Sequence, residues 1–407
     1  MLEKLTIFLS LTFTIIVLLL MAFQNTWHFN LHTDIITYLA RANHFWTNGS
    51  FENLNINEYQ SGALFFFLAI SPSLLFTNNL QSYLIGLFVV NILLLTVISY
   101  LYSKYSEKKD ILLLSPILLF TGPIVLYRLE FFVMTFVIMS FYLFKKNLWI
   151  LSTMALSFAS LIKIFPVVFL PYFLIVTFRN EGLKKAFLIV FVYFVSYILY
   201  LGIFSFVTGL SLDQFLGSFS FIANAPIHNE SLWGTLTGLY WLFTSSTFVQ
   251  GAGAWGIFGV AQAYQLGPLW IYNFFWIIPI FVFYLYIFLK SKKMEMKFDI
   301  KICLLVILLF LLFSKILNHQ YILWFMLLLP LVSLKSIMQH SIWIVVIFLT
   351  LLMTFISQYI YPLNYTDWVT QLYVNGTHLH LFWLNTIRNI ILVILFVLLF
   401  KGQQIEN

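Results

Sequence analysis

Apolar runs of bilayer-crossing length follow one another along the whole chain, and this pattern limits what it can fold into. A helix needs about 20 consecutive apolar residues to cross the hydrocarbon core of a membrane. Inside lipid every backbone N–H and C=O must be bonded within the protein, so such runs cross as helices. With 62% of residues hydrophobic and only 9% charged, a water-soluble fold is excluded. Lys4 precedes the first run, Leu5–Ala22, as in a signal peptide. The run is long for a signal and no Ala-x-Ala site follows it, so it is expected to stay as a first helix. The only cysteine, Cys303, rules out an internal disulfide or a cysteine metal cluster.

Three runs have twice the crossing length and are interrupted near the middle. Residues 147–178 are broken by Lys163 and Pro166, residues 111–144 at Tyr127 to Glu130, and residues 302–334 at Lys315 to Gln320. Proline removes a backbone donor and disfavours helix at the residue before it, which gives the first of these a reason to turn. Each predicts a helical hairpin. Short basic loops mark the cytoplasmic side. With both termini there, all Lys and Arg except Arg41, Arg128, Lys163, Lys315 and Arg388 fall on that side, including Lys108, Lys109, Lys292, Lys293 and Lys335. The expected fold is an all-α, polytopic membrane bundle of about twelve crossings, forming a single domain over residues 1–407. Its external regions are residues 24–79, 208–268 and 361–380. The first should hold an amphipathic helix from Asp34 to Trp46 and a short apolar piece, Gly62 to Phe76, lying in the interface. The net charge of +7 then reflects orientation and phospholipid contact, with no nucleic-acid partner.

In this topology Asp34, Arg128, Glu130, Lys163, Glu230, Lys315 and His319 lie on the external side, although they come from separate parts of the chain. Ionisable residues at membrane depth are costly and are usually paired, cavity-facing or functional. A cavity holding both signs of charge beside aromatic rings suits sugar transfer from a lipid phosphate. Arg128, Lys163, Lys315 and His319 are the candidates to hold the donor phosphate. Asp34 is the first candidate for the base that deprotonates an acceptor hydroxyl, and Glu130 the second. Tyr38, Trp233, Tyr321 and Trp324 are candidate platforms for a sugar face, with Asn229 and Gln320 as polar partners.

These residues resemble a family. The acidic residue in HTDIITYLARANHFWTNG is placed like the first external loop of the GT-C glycosyltransferases. Further steps resemble the polyprenyl-phosphate-mannose-dependent α-mannosyltransferases of bacteria and the catalytic subunit of GPI mannosyltransferase I. They are Arg128-Leu129-Glu130; Ala159, Lys163, Pro166 and Pro171 in one stretch; Asn229, Ser231 and Gly234; and NHQYILWFMLLLPL from Asn318 to Leu331. The Pro pair usual after the first-loop tyrosine is absent, and Glu130 stands where the family often has Asp. The resemblance spans residues 34–331. It implies an inverting transfer of a hexose, mannose first, from a polyprenyl or dolichyl phosphate to a glycan or glycolipid acceptor. The membrane would be the bacterial inner membrane, or the endoplasmic reticulum in a eukaryote.

Each residue also has a plainer reading. Asp34 caps a helix that starts at it. Arg128 and Glu130 form a structural pair, Lys163 snorkels to the interface, and His319 satisfies a helix end. Glu230 and Asp213 are expected as solvated loop charges, while Arg388, beside Asn385 and Asn389, packs polar groups between helices or touches lipid phosphate. No cofactor is indicated and His378 with His380 makes only a weak metal pair. A divalent ion on the donor phosphate, held by Asp34 or Glu130, stays open. Asn48, Asn229, Asn364 and Asn375 begin glycosylation sequons on the external side. The rival functions are a transporter or flippase of lipid-linked sugars and a polysaccharide polymerase or ligase.

Overall fold

A computed structural model describes residues 2–22, 25–52, 60–75, 79–105, 112–244, 252–253, 262–263, 268–291, 296–332, 340–368 and 377–401. Lys108, Lys109, Lys292, Lys293, Lys335 and Asn375 lie outside the described residues. The described chain is mostly helical, with three two-residue strands in the order Ile227–His228, Gln262–Ala263, Ala252–Gly253.

Helices α1 (Leu2–Ala22) and α2 (Asn25–Asn48) are followed by α3 (Ser61–Ile70), a 3-10 turn and α4 (Leu80–Tyr105). Next come α5 (Leu114–Thr121), α6 (Ile124–Tyr127), α7 (Glu130–Lys145), α8 (Trp149–Ile162), α9 (Leu170–Glu181) and α10 (Leu183–Thr208). The second half holds α11 (Leu212–Asn224), α12 (Leu232–Thr244), α13 (Leu269–Phe274), α14 (Ile277–Lys290), α15 (Ile300–Phe313) and α16 (Ile322–Leu328). Two long helices, His340–Gln358 and Leu379–Lys401, complete it. Among the described residues five spans are long and apolar enough to cross a membrane: Leu80–Tyr105, Leu183–Thr208, Leu269–Lys290, Ile342–Leu363 and Leu379–Lys401. This is the makeup of a helical membrane protein, and the other expected crossings correspond to helices shorter than these five spans or to residues outside the described ones.

Apart from α1, those shorter helices are the halves of the broken runs. The breaks fall where charge interrupts the apolar sequence. Lys163 is extended between α8 and the 3-10 turn Phe165–Phe169, Arg128 is extended between α6 and α7, and residues 314–318 separate α15 from the turn that opens α16. Helix α8 has 14 residues and spans about 21 Å, short of a full crossing. The run over residues 111–144 has an extra break at Gly122, whose φ of +69° suits glycine, and where a Cβ would meet Gln358 Nε2 at 1.6 Å.

Helix α15 is apolar on every side from Ile302 onward and buried from Ile300 to Leu312, so it is a core helix enclosed by the others. Helix α7 packs on α4 and α8, α8 packs on α10, and the last helix packs on α15 and on His340–Gln358. Phe187, Phe191, Phe194 and Ile198 leave α10 with an exposed apolar face suited to lipid. In the apolar piece expected at the interface, Gly62, Leu64, Phe66 and Phe67 of α3 are buried, because α3 packs on α8 and α4.

Candidate functional site

Asp34 lies inside α2, nine residues beyond its start at Asn25, so it does not cap the helix. Its carboxylate is 3.2 Å from Arg128 Nη2 and its side chain is 31% exposed, against 2% for Arg128. Arg128 also donates from Nε to Gln320 Oε1 at 2.6 Å, from Nη2 to the Tyr361 hydroxyl, and from Nη1 to the Tyr127 carbonyl at 3.3 Å. The extended backbone at Arg128 frees this side chain from the helix and turns it toward three other segments.

Two residues further on, Glu130 accepts a hydrogen bond from Lys163 Nζ at 2.5 Å. Lys163 sits above the rings of Tyr321, 4.7 Å from the centroid, and Trp324, at 5.3 Å. Tyr321 stacks on Trp324 at 4.3 Å, and Trp324 stacks on Phe165 at 3.7 Å on its other side. Trp324 is therefore a buried layer, and the ring with an accessible side is Tyr321. Gln320 on Arg128 and Tyr321 under Lys163 are adjacent in sequence, so the two ion pairs belong to one site. Glu130 is 1% exposed and Asp34 is the accessible carboxylate of the two. Because each carboxylate already faces a cation, the pair does not fit a divalent ion. Among the described residues no group of three His, Cys, Asp or Glu side chains stands together as a metal site.

A second polar layer adjoins the first. His319 stacks on Tyr361 with centroids 5.8 Å apart, and its Nδ1 accepts from Arg388 Nη1 at 2.9 Å. A guanidinium can only donate, so the ring proton of neutral His319 sits on Nε2, which has no partner among the described residues. Arg388 Nη2 donates to the Glu230 carbonyl, and Asn389 Nδ2 donates to the same carbonyl at 3.1 Å and to Thr235 at 2.8 Å. Asn385 bonds the Asn229 carbonyl at 3.1 Å. Arg388, Asn385 and Asn389 thus pack polar groups between helices. Glu230 corrects the expectation of a solvated charge: it is 2% exposed, because the last helix folds over its turn. The Trp368 indole donates to its Oε1 at 3.3 Å, and its Oε2 has no partner among the described residues. Burial pushes its carboxyl up to about 7, against the opposing pull of its own backbone N–H, Arg388 and Trp368. Burial likewise pushes His228 down to about 4, although its hydrogen bond to Asn318 Oδ1 at 2.9 Å favours the charged form. Asp213 is exposed, as expected.

Other predicted residues stand outside this cluster. Lys315 donates to the carbonyls of Ala223 at 2.9 Å and Ala225 at 2.5 Å, closing the end of α11. Trp233 donates to the Phe313 carbonyl at 3.0 Å and meets Tyr272 and Phe275 edge-on. Tyr38 is buried and stacks on Phe67 at 4.3 Å. The Asn229–Ser231–Gly234 step has a local cause. Ser231 Oγ accepts from the Gly234 N–H at 3.0 Å at the start of α12, and a Cβ on residue 234 would lie 2.3 Å from the His228 carbonyl oxygen. Sequence reasoning missed Tyr361, Tyr365 and Trp368, which sit in a stretch assigned to a loop. Their spacing of four and three residues was a helical signal.

No family model and no characterised protein matches this chain.

Proposed function

We propose that this chain is a membrane glycosyltransferase that moves a hexose, with mannose the first choice, from a polyprenyl or dolichyl phosphate to a glycan or glycolipid acceptor on the external or lumenal face. The reading includes a multi-pass topology of about twelve crossings, counting the short paired helices, with both termini cytoplasmic. One observation carries it. Asp34, Arg128, Glu130, Lys163, Gln320 and Tyr321 come from four distant segments and form one set of two ion pairs over an aromatic platform.

In that reading Asp34, the accessible carboxylate, takes the proton of the acceptor hydroxyl as its oxygen attacks the anomeric carbon. The bond to the phosphate oxygen breaks, the anomeric centre inverts, and the electron pair leaves with the phosphate. Lys163, 16% exposed, receives that charge by shifting from Glu130. Arg128 holds Asp34 in place and supplies a second cation. Tyr321, half-buried where Trp324 is buried, is the ring of this platform that the sugar meets. Lys315, committed to two backbone carbonyls, has no part in this scheme.

The test is transfer in proteoliposomes with radiolabelled polyprenyl-phosphate-mannose and membrane extract as acceptor. Wild type should transfer label, and Asp34→Asn should lose at least 100-fold of the rate, the lower end of a positioned general base's contribution, while remaining folded. Label that crosses the bilayer without transfer overturns the reading in favour of a flippase.

A further inference from the structure

The end of α8 opposite Lys163 carries a separate feature. A cavity of about 1040 Å³ opens there between α7, α8, α9, α10 and residues 296–298. Trp149, at the first residue of α8, lines it, so about 20 Å of helix separates it from the Lys163 cluster. Lys145, Lys185 and Lys297 face it, with Glu181 the one acidic residue in its lining. Glu181 is paired with Lys185, which leaves the lining with an excess of positive charge. Lys185 is steadied over the Trp149 ring at 4.7 Å, and Lys145 over Tyr105 at 4.0 Å.

The site is built rather than an accident of surface lysines. Asn180 binds the backbone of Met296 twice, accepting from its N–H at 2.7 Å and donating to its carbonyl at 2.9 Å, and so fixes Lys297 at the rim. Thr177 lines the cavity, is 1% exposed, and its Oγ1 has no partner among the described residues. Below the lysines the wall is apolar, and Leu151 and Leu188 continue it onto the outer face of the bundle, 52% and 44% exposed. A free phosphate would fill a small part of this volume and leave that wall uncovered.

We propose that this cavity binds the headgroup of an anionic phospholipid, with the phosphate among Lys145, Lys185 and Lys297, Thr177 as a hydroxyl donor, and the acyl chains along Leu151 and Leu188. Basic pockets between helices at a membrane surface recognise such lipids by this combination of charge and apolar wall. The site needs only that the bundle lies in a membrane, so it stands or falls separately from sugar transfer.

Native mass spectrometry of the full chain in detergent tests it, with phosphatidylglycerol, phosphatidylcholine and inorganic phosphate as probes. Phosphatidylglycerol should be retained at least tenfold better than phosphatidylcholine. Lys145→Gln/Lys297→Gln should weaken that retention about 25-fold, about fivefold per lysine. Lys297→Gln alone, at an exposed position, should weaken it about fivefold, whereas Lys146→Gln, outside the lining, should leave it unchanged. Equal retention of the two lipids, or equal loss in Lys146→Gln and Lys297→Gln, overturns the proposal. So does competition by inorganic phosphate at equal concentration, which would make the ligand a free anion.

Discussion

Glu230 makes the buried network measurable through pH. Its carboxyl ionises at 4.5 outside the fold and at about 7 within it, because burial penalises the charged form. Below 4.5 the native and unfolded states both hold the proton, and Glu230 adds no pH dependence. Between 4.5 and about 7 the unfolded chain has released a proton that the native state keeps, so native stability falls as pH rises. Above about 7 the loss is complete, and the gap between the two values corresponds to about 3 kcal/mol. His228 acts in the opposite sense. Burial lowers its imidazole from 6.5 to about 4, so the unfolded chain binds the extra proton and native stability rises with pH across that window. The two slopes oppose each other in the wild type, and a comparison with Glu230→Gln isolates the carboxyl.

Glutamine keeps an acceptor for the Trp368 indole and carries no charge. The variant should match wild type near pH 4.5 and exceed its stability by about 3 kcal/mol at pH 8. The single cysteine supplies the assay. Cys303 is buried in α15, so a thiol-reactive dye labels it as the bundle opens. Melting curves read this way should show an offset between the proteins that grows from pH 5 to pH 8. An offset of the same size at both ends, or a variant less stable at pH 8, refutes the assignment of a buried, neutral carboxyl.

The same dye reads two further substitutions. Lys163→Met leaves the Glu130 carboxylate buried without its cation and should cost about 3–5 kcal/mol, most of it recovered by adding Glu130→Gln. A double variant as unstable as the single one would show that the pair is not a structural unit. Gly234→Ala forces a Cβ to within 2.3 Å of the His228 carbonyl and should cost about 1–3 kcal/mol. An unchanged melting curve would mean that the turn before α12 is looser than its geometry indicates.

The breaks in the bundle were legible because a charge inside an apolar run has few places to go. Lys163, Arg128 and residues 315–320 announced themselves by that contrast alone, and the structure turns at each of them. The lengths of the paired helices were less legible, since two short helices in series read like two long ones. Glu230 was misread for a different reason. It sits in a polar turn, and its burial depends on Arg388 and Asn389, more than 150 residues away in the last helix. Lys315 carried the same signal as Lys163, but its partners are carbonyls at the end of α11, which no side-chain pattern marks. Gly122 failed as a signal because the residue that occupies its missing side chain is Gln358, at the end of another helix.

The three breaks also explain why the polar residues converge. A helix that stops within the bundle leaves up to four backbone carbonyls or N–H groups unbonded, and no water is there to take them. Each break must therefore borrow donors from a neighbour. Asn91 of α4 donates to the carbonyls of Leu126 at 2.8 Å and Arg128 at 3.2 Å, and Lys315 does the same for the end of α11. Where side chains rather than backbone meet, the break at Arg128 binds the break at Gln320, and the break at Lys163 binds Glu130 and covers Tyr321. The ends of the short helices can satisfy one another only at a common depth, and that requirement alone assembles cations, carboxylates and rings in one place. Chemistry placed there takes over a polar layer that the fold needs in any case. This is why Asp34, more exposed than Arg128, Glu130 or Lys163, is the residue whose loss should separate function from folding.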